Sequence, residues 1–287
     1  FLLSYSRSQE YEADKLALRY MNRAGFEPIQ MANFLQSMEN YSKIKSDLLS
    51  LKNKGSELLR THPNSSKRVK KVISEAKDSA QLSPIVGREI FLRKIDGLLF
   101  GYNQDEGFFL KDRFVHPELN ITFPLISDFY FINTPKRVIG LNDNKSQIIY
   151  DIDNSETNKL SQYLVSWAGK FNTKLKKIKS FETDDMQFEI GEGKIKNDKI
   201  LLGVISSNQD EFIHRFALIS KKKDYPKTRE QFIDLIENFR KIGVNEFLPP
   251  KIKIITVSPE ENFLERTINS MNLQEKEARK IFNVLNN

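Results

Sequence analysis

Cysteine is absent from this sequence of 287 residues, which excludes disulfides and thiolate metal ligands. No apolar run approaches the roughly 20 residues that a membrane-spanning helix needs. Histidine is scarce: the chain has three, His62, His116 and His214, each in a different segment. No two of them form an HExxH motif, in which one helix presents two imidazoles to a zinc ion. The sequence begins with Phe1 rather than methionine, so we expect the natural start to lie upstream.

Apolar residues nevertheless make up 39% of the chain and include 21 Phe, which is enough for a folded core. The formal charge of +7 arises from 45 basic and 38 acidic residues that are mixed along the chain. The densest basic runs, Lys67–Lys71 and Lys174–Lys179, lack the interleaved aromatic and glycine residues of a nucleic-acid surface. We interpret these runs as solvated faces and expect no nucleic-acid partner, while a modest attraction to anionic lipid headgroups stays open.

The spacing of apolar residues predicts a multidomain α+β protein in three parts. Residues 1–96 have helical periodicity, with helices expected over 9–24, 28–38, 48–51 and 64–77. Residues 97–246 are predicted to form an α+β sandwich with a mainly antiparallel sheet, because short β-rich segments alternate with turn signals. Its strands are expected at 119–123, 130–132, 137–141, 147–151, 186–190, 199–206 and 212–220, and its helices at 155–171 and 228–242.

Two consecutive prolines, Pro249 and Pro250, mark a stiff linker to a small C-terminal module, residues 247–287. A strand is expected there over 252–257, followed by helices over 260–271 and 275–285. The module is therefore predicted to be α/β in character.

Two carboxylates in the opening helix carry the first chemical signal. Glu10 and Asp14 stand four residues apart, so they lie on one helix face beside apolar positions, and like charges so placed repel. A cation against that face would explain the pair, and a bound metal ion is one such cation. The alternative is an ordinary solvated helix start, where the helix dipole favours acidic residues.

The segment around these carboxylates resembles the SRxxExxAD signature of bacterial zinc metallopeptidases of the HtpX and CAAX prenyl endopeptidase type. It reads Ser6-Arg7-Ser8-Gln9-Glu10-Tyr11-Glu12-Ala13-Asp14. The resemblance implies that Glu10 is a zinc ligand and that Asp14 orients one of the zinc-binding histidines. Both roles suit a carboxylate, which can complete a two-histidine zinc site or fix the tautomer of a ligand imidazole.

A second element resembles the THPxxxxR motif of the same family and consists of Thr61-His62-Pro63 followed by Arg68. The resemblance implies that His62 lies near the metal, as an extra ligand or a hydrogen-bond donor. It also implies that Arg68 helps to hold the substrate carbonyl or the oxyanion formed from it. Alone, a His-Pro pair is more typical of a helix-capping or loop histidine.

The family's HExxH helix is missing, so the chain lacks two histidine ligands and the general-base glutamate. We therefore expect a downstream fragment, inactive by itself, of a zinc-dependent endopeptidase that hydrolyses polypeptides with a zinc-polarised water. The resemblance implies one zinc ion as cofactor, with two further histidine ligands upstream of Phe1. It also implies a location in the periplasm or at the membrane-associated cell envelope, where a membrane surface or an envelope polymer is a further candidate partner.

The remaining residues of interest receive structural interpretations. His116 is predicted at a loop-to-strand junction, His214 as a cross-strand partner or a surface residue, and Trp167 as part of a core. Residues 97–246 are similar in order to the Mog1 and PsbP type of sandwich, and the tail resembles a LysM-like module.

Two other functions stay open. A non-catalytic envelope interaction protein derived from a peptidase would explain the missing HExxH motif. A nucleic-acid binder would rest on the charge of +7 alone.

Overall fold

The structure is a computed structural model that describes residues 7–48, 66–78, 84–101, 105–154, 159–207, 212–243 and 246–286. These residues form two compact units. Unit 1 consists of both ends of the chain, Phe1–Leu98 and Lys251–Asn287, and unit 2 consists of Leu99–Pro250. Helices and antiparallel sheets are both present, which confirms the predicted mixture of the two.

The secondary-structure elements are numbered in chain order. The helices are α1 (Arg7–Arg23), α2 (Ile29–Leu48), α3 (Ser66–Asp78), α4 (Arg88–Ile95), α5 (Leu160–Gly169), α6 (Tyr225–Glu237), α7 (Phe263–Ser270) and α8 (Glu275–Asn286). The strands are β1 (Phe108–Phe109), β2 (Arg113–His116), β3 (Ile121–Pro124), β4 (Phe129–Thr134), β5 (Arg137–Asn142), β6 (Gln147–Asp153), β7 (Lys176–Glu182), β8 (Met186–Ile195), β9 (Asp198–Ser207), β10 (Ile213–Ser220) and β11 (Arg240–Lys241).

The N-terminal helices of unit 1 pack around a small apolar core. Its buried side chains come from α1, α2 and α3 and are Leu18, Ala32, Leu35, Val69, Val72 and Ala76. Helix α1 ends where predicted, because Gly25 has a φ of +80° and its N–H binds the carbonyl of Asn22. The N–H of Phe26 binds the carbonyl of Met21. This pair of bonds is a Schellman motif, which satisfies carbonyls at the end of the helix.

The C-terminal part of unit 1 departs from the prediction. The strand expected over 252–257 is wrong, since these residues are irregular and are followed by α7 and α8. Two N–H groups of this stretch bind the residues that directly follow α4. Ile252 donates to the carbonyl of Leu98, and Ile254 donates to the carboxylate of Asp96. The backbone is thus satisfied without a neighbouring strand. Helix α8 packs against α2.

Unit 2 contains two antiparallel sheets where the sequence predicted one. The larger has the strand order β4-β5-β6-β10-β9-β8-β7, and the smaller has the order β1-β2-β3-β11. Strands β1, β2 and β7 were not predicted. The helix predicted over 228–242 stops at Glu237, because Arg240 and Lys241 pair with β3 as strand β11.

Both faces of the large sheet are buried. One face packs against α6 and the small sheet through a core that includes Phe123, Phe216 and Phe232. The other face packs against α5, with Leu164 and Trp167 in contact with residues of β9 and β10. Side chains that alternate along β9 supply both cores, as the period of a strand requires.

Within the described ranges, none of the helices combines the length and the apolar character that crossing a membrane requires.

Candidate functional site

The two carboxylates of α1 are buried side by side. Glu10 is 7% exposed and Asp14 is 4% exposed, so neither belongs to a solvated helix start. Buried carboxylates are costly unless they are paired or hydrogen-bonded. The question raised by their spacing is therefore which cation compensates them.

Arg68 supplies that cation from α3. Its Nε donates to one carboxylate oxygen of Asp14 at 2.8 Å, and its Nη2 donates to the other at 2.7 Å. Its Nη1 lies 2.8 Å from Oε2 of Glu10. One guanidinium thus bridges both carboxylates and is itself only 7% exposed. The planar fork of arginine suits such a bidentate contact, whereas a lysine would offer a single point of charge.

The local sequence explains why Arg68 faces α1. Val69, Val72 and Ala76 recur at helical spacing and anchor one side of α3 in the core that it shares with α1 and α2. Arg68 precedes this apolar stripe, and the hydrogen bonds to α1 cross 54 residues of sequence. On the same pair of helices, Lys71 lies 4.7 Å from the ring centre of Tyr11. Charged contacts therefore flank the apolar core between α1 and α3.

The electrostatics of the cluster fix its charge state. The hydrogen bond to Asp14 raises the pKa of Arg68, and burial opposes this effect without reversing it. The guanidinium stays protonated at any pH at which the protein is folded.

The predicted site residues thus have different outcomes. The structure brings Glu10, Asp14 and Arg68 together in one cluster. His62 lies outside the described residues, as do the other residues of the Thr61-His62-Pro63 element. The assignments of Glu10 to zinc, Asp14 to a ligand imidazole and Arg68 to the substrate stay predictions.

The described residues do not make a zinc site by themselves. No group of three or more histidine, cysteine, aspartate or glutamate side chains in this part of the chain is arranged to hold a metal ion. A tetrahedral zinc site needs at least three protein ligands, and here Glu10 is a single candidate that is already bonded to Arg68.

The two other histidines lie in unit 2. His116 ends β2, and its Nδ1 accepts the N–H of Leu119 at 3.3 Å, in agreement with the predicted junction. Burial and the nearby His214 lower the pKa of His116 to about 4.

His214 is buried between Ile152 and Ile205 on the neighbouring strands and binds the hydroxyl of Tyr150 at 3.0 Å. The cross-strand interpretation of His214 is confirmed, and the surface alternative is wrong.

Trp167 also matches its interpretation, since it is buried in the core beneath α5.

A cavity of about 320 Å³ in unit 2 was not predicted. Phe114, His116 and Tyr150 line it, with charged residues at its margin, and none of the three clustered residues of unit 1 contributes to it. Its lining comes from several strands and loops, and no local sequence pattern indicates such a convergence.

Residues 1–76 match the profile of Peptidase family M48. The N-terminal part of the chain is therefore similar to the M48 peptidases. The chain is also similar to the Beta-barrel assembly-enhancing protease of Yersinia pestis, with 33% identity over 84 residues. That match covers 29% of this chain and 15% of the relative, so the chain spans only a small part of the relative's length.

The chain also has weak likenesses among solved structures. The cyanobacterial PsbP of Synechocystis sp. PCC 6803 is 9% identical with a TM-score of 0.38, covering 50% of this chain and 98% of that one. The Ran-binding protein Mog1p of Saccharomyces cerevisiae is 10% identical with a TM-score of 0.31, covering 45% and 94%. LpqN of Mycobacterium tuberculosis is 8% identical with a TM-score of 0.33, covering 43% and 83%. These scores are too low to support an argument about fold or function.

Proposed function

We propose that this chain is part of a zinc-dependent endopeptidase of the HtpX and CAAX type, which cleaves polypeptides in the cell envelope. The match of residues 1–76 to the M48 family supports a peptidase. The relative named for assembly of β-barrels supports the envelope as the location. The observation that carries the proposal is the buried pair Glu10 and Asp14, held on one face of α1 within the segment that resembles the family signature.

Arg68 has a positioning role in this proposal. Its guanidinium fixes Glu10 relative to Asp14 and couples α3, which follows the Thr61-His62-Pro63 element, to α1, which carries the carboxylates. A site built on helices that are locked together keeps its groups more precisely placed than a site on loops.

Zinc would supply a Lewis acid and an activated water. Since the described residues provide one candidate ligand, the proposal requires imidazole ligands and a general base from other parts of the intact polypeptide. Glu10 would complete that set, and Asp14 would orient an imidazole.

The intact polypeptide tests the proposal through two matched substitutions on α1. Glu10→Gln keeps the shape of the side chain but removes its charge, and Glu12→Gln does the same at an exposed position two residues away. We expect Glu10→Gln to lower zinc affinity and casein cleavage by about tenfold or more, since even indirect partners of a metal ligand contribute that much. Glu12→Gln should change neither.

Zinc content is measured by mass spectrometry on protein whose folding has been checked by circular dichroism. This control is needed because Glu10 also binds Arg68. If folded Glu10→Gln protein keeps the zinc content and the casein cleavage of the wild type, the proposal is wrong.

A non-catalytic interaction protein is the second candidate. The observation in its favour is that Arg68 already compensates both carboxylates, so the burial of Glu10 and Asp14 needs no metal. This candidate predicts that neither Glu10→Gln nor wild type binds zinc, and that casein stays intact in both.

A further inference from the structure

Helix α4 of unit 1 presents large apolar side chains to solvent. None of its eight residues is buried. Ile90 and Phe91 are each 60% exposed, and Val86, just before the helix, is 55% exposed. A large apolar side chain gains free energy when it leaves water, so a concentration of them in one short segment indicates a contact surface.

The helical period shows which side of α4 points outward. Leu92 and Ile95 are partly buried and lie three residues apart, so they mark the covered side of the helix. Each residue turns about 100° around the helix axis, and Ile90 therefore lies on the opposite side. A branched apolar residue thus occupies the centre of the solvent-facing side, where a surface helix normally carries a polar residue.

Basic residues flank Ile90 on this outward side. Arg93 and Lys94 are three and four residues further along the helix, so they are its neighbours on the helix surface. Phe91 is three residues from Lys94 and is its neighbour in the same way. All four side chains are exposed. They form one continuous surface, which we call the α4 face and which consists of Ile90, Phe91, Arg93 and Lys94.

A second segment with the same composition lies beside the end of α4. Residues 251–254 run next to the residues that follow the helix, because Ile252 donates its N–H to the carbonyl of Leu98 at 2.8 Å. Exposed apolar surface is therefore concentrated in α4 and in this neighbouring segment. The exposed apolar side chains of the second segment are Ile254, Ile255 and Val257.

Positive charge predominates in the same two segments. Residues 84–98 and 251–257 contain five basic and two acidic residues. Both acidic residues are engaged, since Glu89 lies 3.2 Å from Arg88 and Asp96 accepts a backbone N–H from the second segment at 2.9 Å. The four other basic side chains are exposed and form no ion pair with any residue in the described part of the chain. They are Arg93, Lys94, Lys251 and Lys253.

We propose that the α4 face binds the surface of a membrane that contains anionic phospholipid. Ile90 and Phe91 enter the boundary between headgroups and acyl chains, and Arg93 and Lys94 stay at the headgroups. Exposed apolar side chains between unpaired cations are the composition of a helix that lies in a membrane interface. The inference goes beyond the proposed peptidase, because no residue of the cluster around Arg68 takes part in it.

Two other partners fit the α4 face less well. The phosphates of a nucleic acid would satisfy the cations but would leave Ile90, which offers no ring for a base to stack on, in water. A second copy of the same face would bring Arg93 and Lys94 against their own counterparts, and like charges repel. An anionic membrane removes the apolar side chains from water and compensates the cations in one contact.

Vesicle sedimentation tests the proposal with the full chain. Vesicles of phosphatidylcholine alone are compared with vesicles in which about a third of the lipid is phosphatidylglycerol, at low and at physiological salt. We expect binding to the anionic vesicles alone and weaker binding as salt rises. The double variant Ile90→Ser, Phe91→Ser should lower the partition coefficient by about tenfold or more, because both side chains lose their acyl contact. The double variant Arg93→Gln, Lys94→Gln should lower it by about tenfold or more as well.

Matched controls make the same kinds of change on other helices of unit 1. Phe34→Ser with Leu285→Ser removes one exposed aromatic and one exposed aliphatic side chain from α2 and α8. Lys15→Gln with Lys70→Gln removes two exposed cations from α1 and α3. Both controls should bind anionic vesicles as the wild type does, and circular dichroism verifies that all four double variants are folded.

Three results would overturn the proposal. The first is wild-type protein that binds neither kind of vesicle, or binds both equally. The second is a control variant that loses as much binding as its partner variant on α4, or a variant Ile90→Ser, Phe91→Ser that loses none. The third is tighter binding to a single-stranded oligonucleotide than to anionic vesicles at equal phosphate concentration, which would identify a different polyanion as the partner.

Discussion

Replacement of Arg68 by methionine is the sharpest test of the ion cluster in unit 1. Methionine keeps much of the length of the side chain but removes three contacts to the carboxylates of Glu10 and Asp14, at 2.7 to 2.8 Å. Both carboxylates would then be buried without a compensating cation. Breaking a buried ion pair in this way costs about 3 to 5 kcal/mol of unfolding free energy.

An exposed ion pair provides the matched control. Arg266 and Glu260 form one in the same unit, with both side chains mostly exposed. Arg266→Met should therefore lower the unfolding free energy by about 1 kcal/mol or less. The difference between the two methionine variants isolates the effect of burial.

Urea unfolding followed by circular dichroism at 222 nm measures the helices, and fluorescence reports on the single Trp167 in unit 2. We expect Arg68→Met to move the helical transition to lower urea while the fluorescence of Trp167 serves as an internal reference. Adding Glu10→Gln and Asp14→Asn to Arg68→Met should recover part of the loss, because no charge is then left buried. The reasoning is refuted if Arg68→Met destabilises no more than Arg266→Met, or if the triple variant is less stable than Arg68→Met.

Two further predictions concern unit 2, and the fluorescence of Trp167 measures both. The pKa of His116 in the folded chain is about 4, below its usual 6.5, so the unfolded chain takes up the proton first. The contribution of His116 to the unfolding free energy is therefore fully present above pH 6.5. About 3 kcal/mol of it is lost as the pH falls towards 4. His116→Gln should remove most of this pH dependence. Gly107→Ala should cost about 2 kcal/mol or more, because φ is +73° and the added Cβ would lie 2.6 Å from the ring of Phe114. Gly101→Ala, with φ of +87° and nothing within 4 Å of the added Cβ, should cost about 1 kcal/mol, and equal losses in the two variants would rule out the clash.

The sequence was most informative where a local pattern carries the structural information. Apolar spacing and Gly25 predict the extent of α1, because a helix bonds to itself and its end requires a residue with positive φ. Alternating apolar residues likewise predict β4, β5, β6, β9 and β10 to within a few residues. The misses include the two-residue strands β1 and β11, which are too short to show an alternating pattern and are defined by their pairing with β2 and β3. They also include the seven-residue strand β7, whose mostly exposed residues carry no apolar alternation.

The candidate site likewise combines a feature of the local sequence with a contact that only the fold reveals. The spacing of Glu10 and Asp14 left open a nearby cation or a solvated helix start, and the burial of both carboxylates decides for the cation. The identity of that cation, Arg68, is not contained in the spacing, because the contact spans 54 residues of sequence. The basic run Lys174–Lys179 was interpreted as a solvated face, and its four lysines are exposed in the structure.

Along the chain, unit 2 is inserted between the two segments of unit 1. The chain leaves unit 1 after Leu98 and returns at Lys251, and Ile252 donates its N–H to the carbonyl of Leu98 at 2.8 Å. Within unit 2, Phe100 donates to the carbonyl of Pro250 at 2.9 Å, so its two termini are neighbours as well. Residues 99–250 can therefore be excised as one continuous fragment, and a short glycine-serine bridge can close the gap they leave. The same adjacency makes circular permutation of unit 2 feasible.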